Sequence, residues 1–397
     1  MKKKKILFLG GAISQLPVIE YAKRKNLHVI TVDYLPENPG HKLADEYYNI
    51  STVEKESILE LSQKLNIDAI SAYASDPAAP TAAYVSEKMG LVGSPYKTVQ
   101  TLSNKSYFRK FLNDIELLCP WYITGSRPEE LIAHYNGDKA VIKPVDSSGS
   151  KGLKIVENIR DIKQYFDYSK NFSRTGKVIL EQYIEKKGPQ IHGEGFVYNG
   201  EVVFLCLGDQ VFSQANPLAP FSTMVPGSFH RDILPEVSRL INEIIHKVGF
   251  ITGGINVEVI RDSGDNLYVL EIGARNGGNF MPQLMQHVTG FDLPKANVDA
   301  LLNEPFFSTE YKVNTKSHYA QIILHTEHEG CFDKLNVPAE FKHRVVEEFL
   351  YYKKGEFIRS YENSRDVVGV LIIELKNEMD LKIYRESLIN WDWILVR

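Results

Sequence analysis

Apolar runs and amphipathic stretches alternate over the first 118 residues of the chain. A run of four to eight apolar residues predicts a buried strand, and apolar residues spaced by three or four predict a helix. The predicted elements are, in chain order, strand 5–9, helix 14–25, strand 27–32, helix 58–65, strand 69–74, helix 77–89 and a helix that starts at Ser94-Pro95. Strands that alternate with helices favour a parallel sheet, so we expect an open, Rossmann-like α/β domain over residues 1–118.

Beyond residue 118 the pattern is that of an α+β protein. The predicted strands are 140–143, 154–156, 178–182, 193–198, 201–207, 254–261, 267–272, 319–324, 367–375 and 393–396, and the predicted helices are 161–168, 234–248 and 294–302. Asn199-Gly200 lies between two strand-like runs and is a strong hairpin signal. The segment 262–265 predicts a second hairpin, and residues 311–397 predict a small closing subdomain.

Composition and charge exclude several classes of protein. The chain has 397 residues, 43% of them hydrophobic, and a net charge of -4. The only basic run is Lys2–Lys5, so bulk charge gives no sign of nucleic-acid binding. Three scattered cysteines suggest neither a disulfide framework nor a zinc site. No apolar stretch approaches the roughly 20 residues of a membrane span. We therefore expect a cytoplasmic protein that binds neither nucleic acid nor membrane.

Two glutamates lie late in the two strands of the second predicted hairpin. Glu258 and Glu271 have apolar neighbours that need the opposite face of the sheet, because side chains alternate along a strand. Two carboxylates that face one cleft repel each other unless a cation lies between them, and Mg²⁺ prefers one or two carboxylates together with substrate phosphates. The simpler alternative is a pair of solvated glutamates.

The segment that follows Glu271 favours the metal interpretation. Arg275, Asn276, Gly277 and Gly278 come directly after a buried strand, where they are poor core material. Glycine lets a backbone approach a ligand closely, and arginine offers a planar fork to phosphate or carboxylate.

Two lysines and a glycine–serine loop are candidate phosphate ligands. Lys143 ends an apolar strand, where a lysine either snorkels to solvent or meets an anion. The loop after it can wrap phosphates with backbone N–H groups and hydroxyls. Its candidate residues are Ser147, Ser148, Gly149, Ser150 and Gly152. Lys105 stands near a predicted helix start. A surface hairpin and a solvated lysine are the simpler alternatives for the loop and for Lys105.

The glycine turn after the first strand is a weaker signal. Gly10-Gly11 resembles a dinucleotide-binding turn but lacks the full GxGxxG fingerprint, so we predict no NAD site. The loop at 147–152 likewise lacks the GxxxxGK[ST] spacing and the following helix of a Walker A loop.

The order of these motifs along the chain resembles the ATP-grasp superfamily of carboxylate–amine ligases. The order is Lys105, Lys143 with its loop, Glu181-Gln182-Tyr183-Ile184, Glu258, then Glu271 with Arg275. The resemblance is to the branch of phosphoribosylglycinamide synthetase-like, carbamoyl-phosphate-synthase-like and L-amino-acid-ligase-like proteins, and it covers roughly residues 1–300.

The resemblance implies an α/β plus α+β fold in four parts. These are a Rossmann-like pre-ATP-grasp domain at 1–118, a small ATP-grasp lobe at 119–180, a large lobe at 181–310 and a C-terminal closing subdomain at 311–397. In such a fold the two lobes clamp ATP between them.

The resemblance also implies a role for each candidate residue. Lys105 and Lys143 would hold the α- and β-phosphates, and the loop 147–152 would close over the β- and γ-phosphates. Glu181, Gln182, Tyr183 and Ile184 would form the hinge whose backbone meets adenine. Glu258 and Glu271 would carry Mg²⁺, with Mn²⁺ as a substitute. Arg275 and Lys143 would be the catalytic residues, and Arg275 would steady the phosphoryl or acyl-phosphate group that is transferred.

Three departures from the family pattern stand out. Gln190 occupies the place of an acidic ribose ligand, for which Glu185 or Glu194 could substitute. Gly273 stands where the family often has a metal-binding asparagine, with Asn276 or Asn279 as alternatives. The loop differs from the glycine loop of biotin carboxylases, which argues against a biotin-dependent enzyme.

The predicted function is therefore ADP-forming ligation of a small carboxylate to an amine through an acyl phosphate. The alternatives are bicarbonate-dependent carboxylation of a purine-type amine and a non-catalytic nucleotide-binding protein. A homodimer formed through the first domain is compatible with the resemblance. Weaker candidates for substrate contacts are His192, Glu194, His230-Arg231 and Asp76, which ends a strand where α/β folds place ligands.

Overall fold

The computed structural model describes residues 3–212, 220–228, 232–304, 311–313, 316–387 and 393–397. Its first part is a four-stranded parallel sheet in the order β3-β2-β1-β4. The elements are β1 (Lys5–Leu9), a 3-10 helix (Ile13–Gln15), α1 (Leu16–Arg24), β2 (His28–Val32), α2 (Gly40–Leu43), β3 (Glu46–Tyr48), α3 (Lys55–Leu65), β4 (Ala69–Ser71), α4 (Ala79–Met89), α5 (Tyr96–Ser103) and α6 (Lys105–Asp114). The predicted open α/β fold of this part is confirmed.

The next part is a small antiparallel sheet in the order β5-β8-β6-β7. Its elements are β5 (Tyr122–Gly125), α7 (Pro128–Ile132), β6 (Ala140–Pro144), β7 (Lys154–Val156), α8 (Ile159–Lys170) and β8 (Val178–Gln182). The buried side chains of Ile142, Phe166 and Leu180 form its core. The strand pattern missed β5, because its glycine and the Ser-Arg-Pro that follows are typical of a linker.

A long antiparallel hairpin opens the third part of the chain. The elements are β9 (Gln190–Tyr198), β10 (Glu201–Phe212), β11 (Pro220–Val225), α9 (Leu234–Val248), β12 (Gly253–Arg261), β13 (Leu267–Gly273), α10 (Met281–Thr289) and α11 (Leu293–Leu301). Asn199 and Gly200 have φ values of 52° and 85°, the left-handed conformation that a two-residue turn between twisted strands requires. Both predicted hairpins are confirmed.

The C-terminal strands continue the same sheet. The elements are β14 (His318–Leu324), β15 (Gly330–Leu335), α12 (Ala339–Lys342), β16 (Val345–Leu350), β17 (Phe357–Ile358), a second 3-10 helix (Ser364–Asp366), β18 (Gly369–Leu375), α13 (Glu378–Ser387) and β19 (Ile394–Val396). Eight strands pair in the order β13-β12-β9-β10-β11-β14-β18-β16. The large sheet therefore runs across the boundary predicted at residue 310.

Helices cover most of both faces of the eight-stranded sheet. Ile241, Ile244 and Ile245 of α9 share one buried cluster with Val257 and with the first-domain helix α5. On the opposite face, α10 and α11 pack on Phe196 and Phe204. Because side chains alternate along a strand, the face of β9 that carries Phe196 also carries the polar residues Glu194, His192 and Gln190. The candidate site lies at that end of the sheet.

A buried arginine joins the first domain to both sheets. Arg109 of α6 has no exposed surface, and its Nε donates to Oε2 of Glu181 on β8 at 3.1 Å. Its Nη1 donates to the carbonyl oxygen of Leu270 on β13 at 2.8 Å. One side chain therefore ties α6 to a strand of each sheet.

Replacing Arg109 with methionine is expected to destabilise the protein by roughly 3–5 kcal/mol, because it leaves a buried carboxylate with one cation fewer. The urea midpoint of unfolding measures this. Arg127→Met is the matched control, since Arg127 is exposed and pairs only with its helix neighbour Glu130. Equal midpoints for the two variants would contradict a structural role for the Arg109 contacts.

Candidate active site

Two carboxylates face each other in the hairpin of β12 and β13. Glu258 and Glu271 are directly paired in the strand register, and Lys105 Nζ lies 3.3 Å from Glu271 Oε2. Burial and the nearby Glu271 carboxylate raise the pKa of Glu258. In the described part of the chain, no cluster of three or more His, Cys, Asp or Glu side chains is arranged to enclose a metal. A cation between these two carboxylates would need further ligands from a substrate, and this donor set suits Mg²⁺.

Lys143 lies within a buried charge cluster. It is 9% exposed, and its ammonium forms an ion pair with Glu181, which also contacts Arg109. Burial lowers the pKa of Lys143. Burial also opposes ionisation of Glu181, but the two cations override it and lower the Glu181 pKa to about 2. The cluster of two cations and one anion leaves a net positive charge beside the cleft.

The glycine–serine loop stands directly over Lys105. Lys105 Nζ donates to the carbonyl oxygen of Ser147 at 2.7 Å. The base of the loop is held by Asp146, which accepts from the backbone N–H groups of Arg174 and Thr175 at 3.1 and 2.9 Å. These contacts bring the loop and the two carboxylates to one side of the cleft.

The tip of the loop reaches the C-terminal part of the chain. Gly149 and Ser150 have φ values of 65° and 57°, and the N–H of Ser364 donates to the carbonyl oxygen of Gly149 at 3.3 Å. A Cβ at Gly149 would lie 2.1 Å from the Ser364 hydroxyl oxygen, so this approach requires glycine.

Arg275 meets the first domain across the cleft. Its Nη2 forms an ion pair with Asp76, which lies five residues beyond the end of β4, and its Nη1 donates to the carbonyl oxygen of Asn276 at 3.1 Å. Burial opposes ionisation of Asp76, but the Arg275 guanidinium overrides it and lowers the Asp76 pKa. Asp76 also accepts from Ser148, so it contacts both the loop and Arg275. The edge of the parallel sheet thus forms one wall of the cleft.

The predicted hinge begins with the last two residues of β8, Glu181 and Gln182. The N–H groups of Gln182 and Tyr183 donate to the carbonyl oxygens of Trp121 and Lys139, at 2.9 and 3.1 Å. Ile184 is buried in a small cluster with Ile260 and Tyr268. The amides of Gln182 and Tyr183 are therefore used inside the protein, and the Glu181 side chain is turned toward Lys143.

Gln190 contacts one of the two paired carboxylates. Its Nε2 donates to Gln210 Oε1 at 3.0 Å and to Glu258 Oε2 at 3.2 Å. The residue also lines a cavity of about 490 Å³ beside Lys186 and Phe212. The side chain expected at the ribose therefore contacts a predicted metal ligand.

His192 is enclosed by neutral polar groups. Its Nε2 lies 3.1 Å from Asn256 Nδ2, and its Nδ1 lies 3.1 Å from Gln210 Nε2 and 3.2 Å from the Thr223 hydroxyl. Burial lowers its pKa to about 4, so the ring is neutral at pH 7. Both ring nitrogens face protein groups, which argues against a role as a base. His230-Arg231 lie outside the described residues.

Sequence reasoning missed several residues of this site. Arg109, Asn256, Gln210 and Thr223 have no motif of their own. Alternation on β9, β10 and β12 was the available signal, since Gln190, Asn256 and Gln210 interrupt apolar strands on the face that carries Glu258.

A glutamine fills the glycine turn of the first domain. Gln15 Nε2 donates to the carbonyl oxygens of Leu9 and Tyr73 at 2.9 and 2.8 Å, and its Oε1 accepts from the N–H of Ala12 at 2.9 Å. A Cβ at Gly10 would lie 2.2 Å from Gln15 Oε1. The space in which a dinucleotide pyrophosphate would approach this turn is occupied by a side chain.

No helix among the described residues is both long and apolar enough to cross a membrane.

Comparison with known proteins places the fold. Residues 138–283 match the ATP-grasp domain family. The chain is 27% identical over 187 residues to a formate-dependent phosphoribosylglycinamide formyltransferase of Hydrogenovibrio crunogenus, a match that covers 46% of this chain and 47% of that protein. It is also 27% identical to a phosphoribosylamine–glycine ligase of Methanocaldococcus jannaschii, over 93% of this chain and 84% of that protein.

The crystal structure of an L-amino acid ligase from Bacillus licheniformis superimposes with a TM-score of 0.83 at 20% identity, over 100% of both chains. The predicted two-lobed architecture behind an α/β domain is confirmed by this likeness. The resemblance found in the sequence is likewise confirmed, because residues 138–283 match the ATP-grasp domain family and the chain shares the fold of this ligase.

Proposed function

We propose that this protein is an ATP- and Mg²⁺-dependent ligase that activates a carboxylate as an acyl phosphate, transfers the acyl group to an amine, and releases ADP and phosphate. The observation that carries the proposal is the direct pairing of Glu258 with Glu271 beneath Lys105 and the loop at 147–152. Paired carboxylates next to cations and a glycine–serine loop are suited to binding a metal–triphosphate complex.

Charge neutralisation is the main task of the residues on the nucleotide side. Lys105 and Lys143 are both largely buried, so their attraction for phosphate oxygens is screened little by water. Each ammonium contacts a carboxylate in this structure, and an arriving triphosphate would compete for it. Glu258 and Glu271 would hold Mg²⁺, which would supply further neutralisation of the triphosphate charge.

The acyl-transfer side is formed by Arg275 and Asp76. The substrate carboxylate attacks the γ-phosphate, and the amine then displaces phosphate from the resulting acyl phosphate through an oxyanionic intermediate. The Arg275 guanidinium is suited to stabilise that negative charge. We assign Asp76 to binding of the amine substrate, because a carboxylate beside the acyl group can hold an ammonium.

Exclusion of water is the task that we assign to the loop and the C-terminal part. An acyl phosphate is hydrolysed where water has access, so the cleft must be closed during transfer. The contact of Ser364 with Gly149 joins the tip of the loop to the C-terminal part, while Lys105 contacts the loop at Ser147.

The names of the relatives suggest a class of substrates. A phosphoribosylamine–glycine ligase and an L-amino acid ligase are both similar to this chain. We propose that one of the two substrates is an amino acid or another small molecule that carries a carboxylate or an amine.

Phosphate release from ATP and Mg²⁺ is expected to require one carboxylate and one amine, and to yield ADP. The assay crosses a panel of carboxylates, bicarbonate included, with a panel of amines and amino acids. Glu271→Gln is expected to lower the rate by about 100-fold or more, because it removes a charged metal ligand. Glu201→Gln, an exposed glutamate of β10, is the control. Formation of AMP and pyrophosphate would rule out the proposal, and strict dependence on bicarbonate would redirect it to carboxylation.

Lys143→Met is expected to raise the Kd of ATP roughly 10- to 100-fold, since a hydrogen bond to a charged group contributes about 1.5–3 kcal/mol. Isothermal titration calorimetry with a non-hydrolysable ATP analogue and Mg²⁺ measures this. Lys110→Met removes an exposed lysine of α6 and is expected to leave the Kd unchanged. An unaltered Kd in Lys143→Met would exclude this lysine from the phosphate site.

A further inference from the structure

One fully buried carboxylate in the site has no cationic partner. Glu194 lies in the middle of β9 with no exposed surface, and no lysine, arginine or histidine in the described ranges forms an ion pair with it. Such a charge is costly to bury, and burial raises its pKa to about 7. Replacement by an apolar residue would be favoured if stability alone were at stake.

The partners of Glu194 come mainly from the segment that follows Arg275. Its Oε1 and Oε2 accept from the backbone N–H of Gly277 at 2.8 and 2.9 Å, and its Oε2 accepts from Asn276 Nδ2 at 2.8 Å. Asn256 Nδ2 donates to Oε1 at 2.8 Å. A Cβ at Gly277 would lie 2.2 Å from Glu194 Oε1, so only glycine permits this approach.

Asn276 connects the hydrogen bonds of Glu194 to the Arg275 guanidinium. Asn276 is fully buried, and its Oδ1 accepts from Asn297 Nδ2 of α11. Its carbonyl oxygen accepts from Arg275 Nη1 at 3.1 Å. Glu194 thus fixes the peptide unit that in turn supports the Arg275 head group.

Direct contact of Glu194 with a substrate is excluded by its position. Both of its oxygens are occupied by donors on the loop and on β12, and the side chain has no exposed surface. Any effect that Glu194 has on the reaction must pass through the groups that it holds.

We propose that Glu194 is the positioning residue for Arg275, and that its buried carboxylate holds the segment 275–277 so that the guanidinium faces the transferred group. The proposal rests on the proposed function for its effect on rate, but its structural part stands apart from that function. Glutamine at this position keeps the side-chain volume of glutamate. It replaces one carboxylate oxygen, which accepts hydrogen bonds, with an NH₂ group that would face other donors.

The first test measures hydrogen exchange of the peptide that spans residues 272–281, by mass spectrometry on the full chain. Glu194→Gln is expected to speed exchange at the Gly277 amide, whereas the control Glu201→Gln leaves it unchanged. Glu194→Asp, which keeps the charge on a shorter side chain, is expected to give an intermediate result and serves if Glu194→Gln does not fold. Unchanged protection in both Glu194 variants would overturn the proposal.

The second test is a double-mutant cycle on the ligase reaction. Glu194→Gln is expected to lower kcat about 10- to 100-fold, since a misplaced group can lose this much, with the Kd of ATP unchanged. In the background of Arg275→Met, the same substitution is expected to have no further effect, because it acts through Arg275. Losses that multiply would overturn the proposal. Faster exchange in Glu194→Gln, together with a wild-type protein that makes no ADP with any substrate pair, would instead refute the proposed function.

Discussion

The repulsion between Glu258 and Glu271 is the constraint around which the site is arranged. Their pairing across β12 and β13 is fixed by the strand register, which places both side chains on one face of the sheet. Burial and the Glu271 carboxylate raise the pKa of Glu258, and the nearby cations Lys105, Lys143 and Arg275 offset only part of this rise. The cleft therefore holds negative charge in place and surrounds it with cations, which is the arrangement that a metal–triphosphate complex completes.

A row of polar side chains on β9, β10 and β12 lies beside this pair of carboxylates. Gln190 Nε2 donates to Glu258 and to Gln210, and Asn256 Nδ2 donates to Glu194. The His192 ring lies between Gln210 Nε2 and Asn256 Nδ2, and as a neutral imidazole it accepts from one of them. The row runs from Glu258 to the segment that carries Arg275. Hydrogen bonds are stronger in a low-dielectric interior, so these side chains help to hold that face of the sheet in one geometry.

Much of the fold and the core of the candidate site were predictable from the sequence, because their signals are local. These signals are the alternation of apolar and polar residues, the Asn199-Gly200 turn and the apolar strands around Glu258 and Glu271. Each of them spans only a few residues. Arg109 and Asp76 were harder, since their partners Glu181 and Arg275 lie 72 and 199 residues away. The sequence suggests Glu194 as a substrate or ribose contact. Only the folded chain shows that its oxygens face Gly277 and Asn276. The strand β11 was not predicted. It pairs with β10, which is longer than predicted, and with β14, which comes much later in the chain.

The C-terminal part of the chain contributes strands to the eight-stranded sheet, which is the platform under the nucleotide. β14 is hydrogen-bonded to β11, β18 to β14 and β16 to β18, so these strands belong to the same sheet as the strands that carry Glu258 and Glu271. A movement of the sheet β5-β8-β6-β7 away from this platform would separate Gly149 from Ser364. Truncation before β14 would expose a new sheet edge beside β11, and so would leave an unpaired strand in the platform itself.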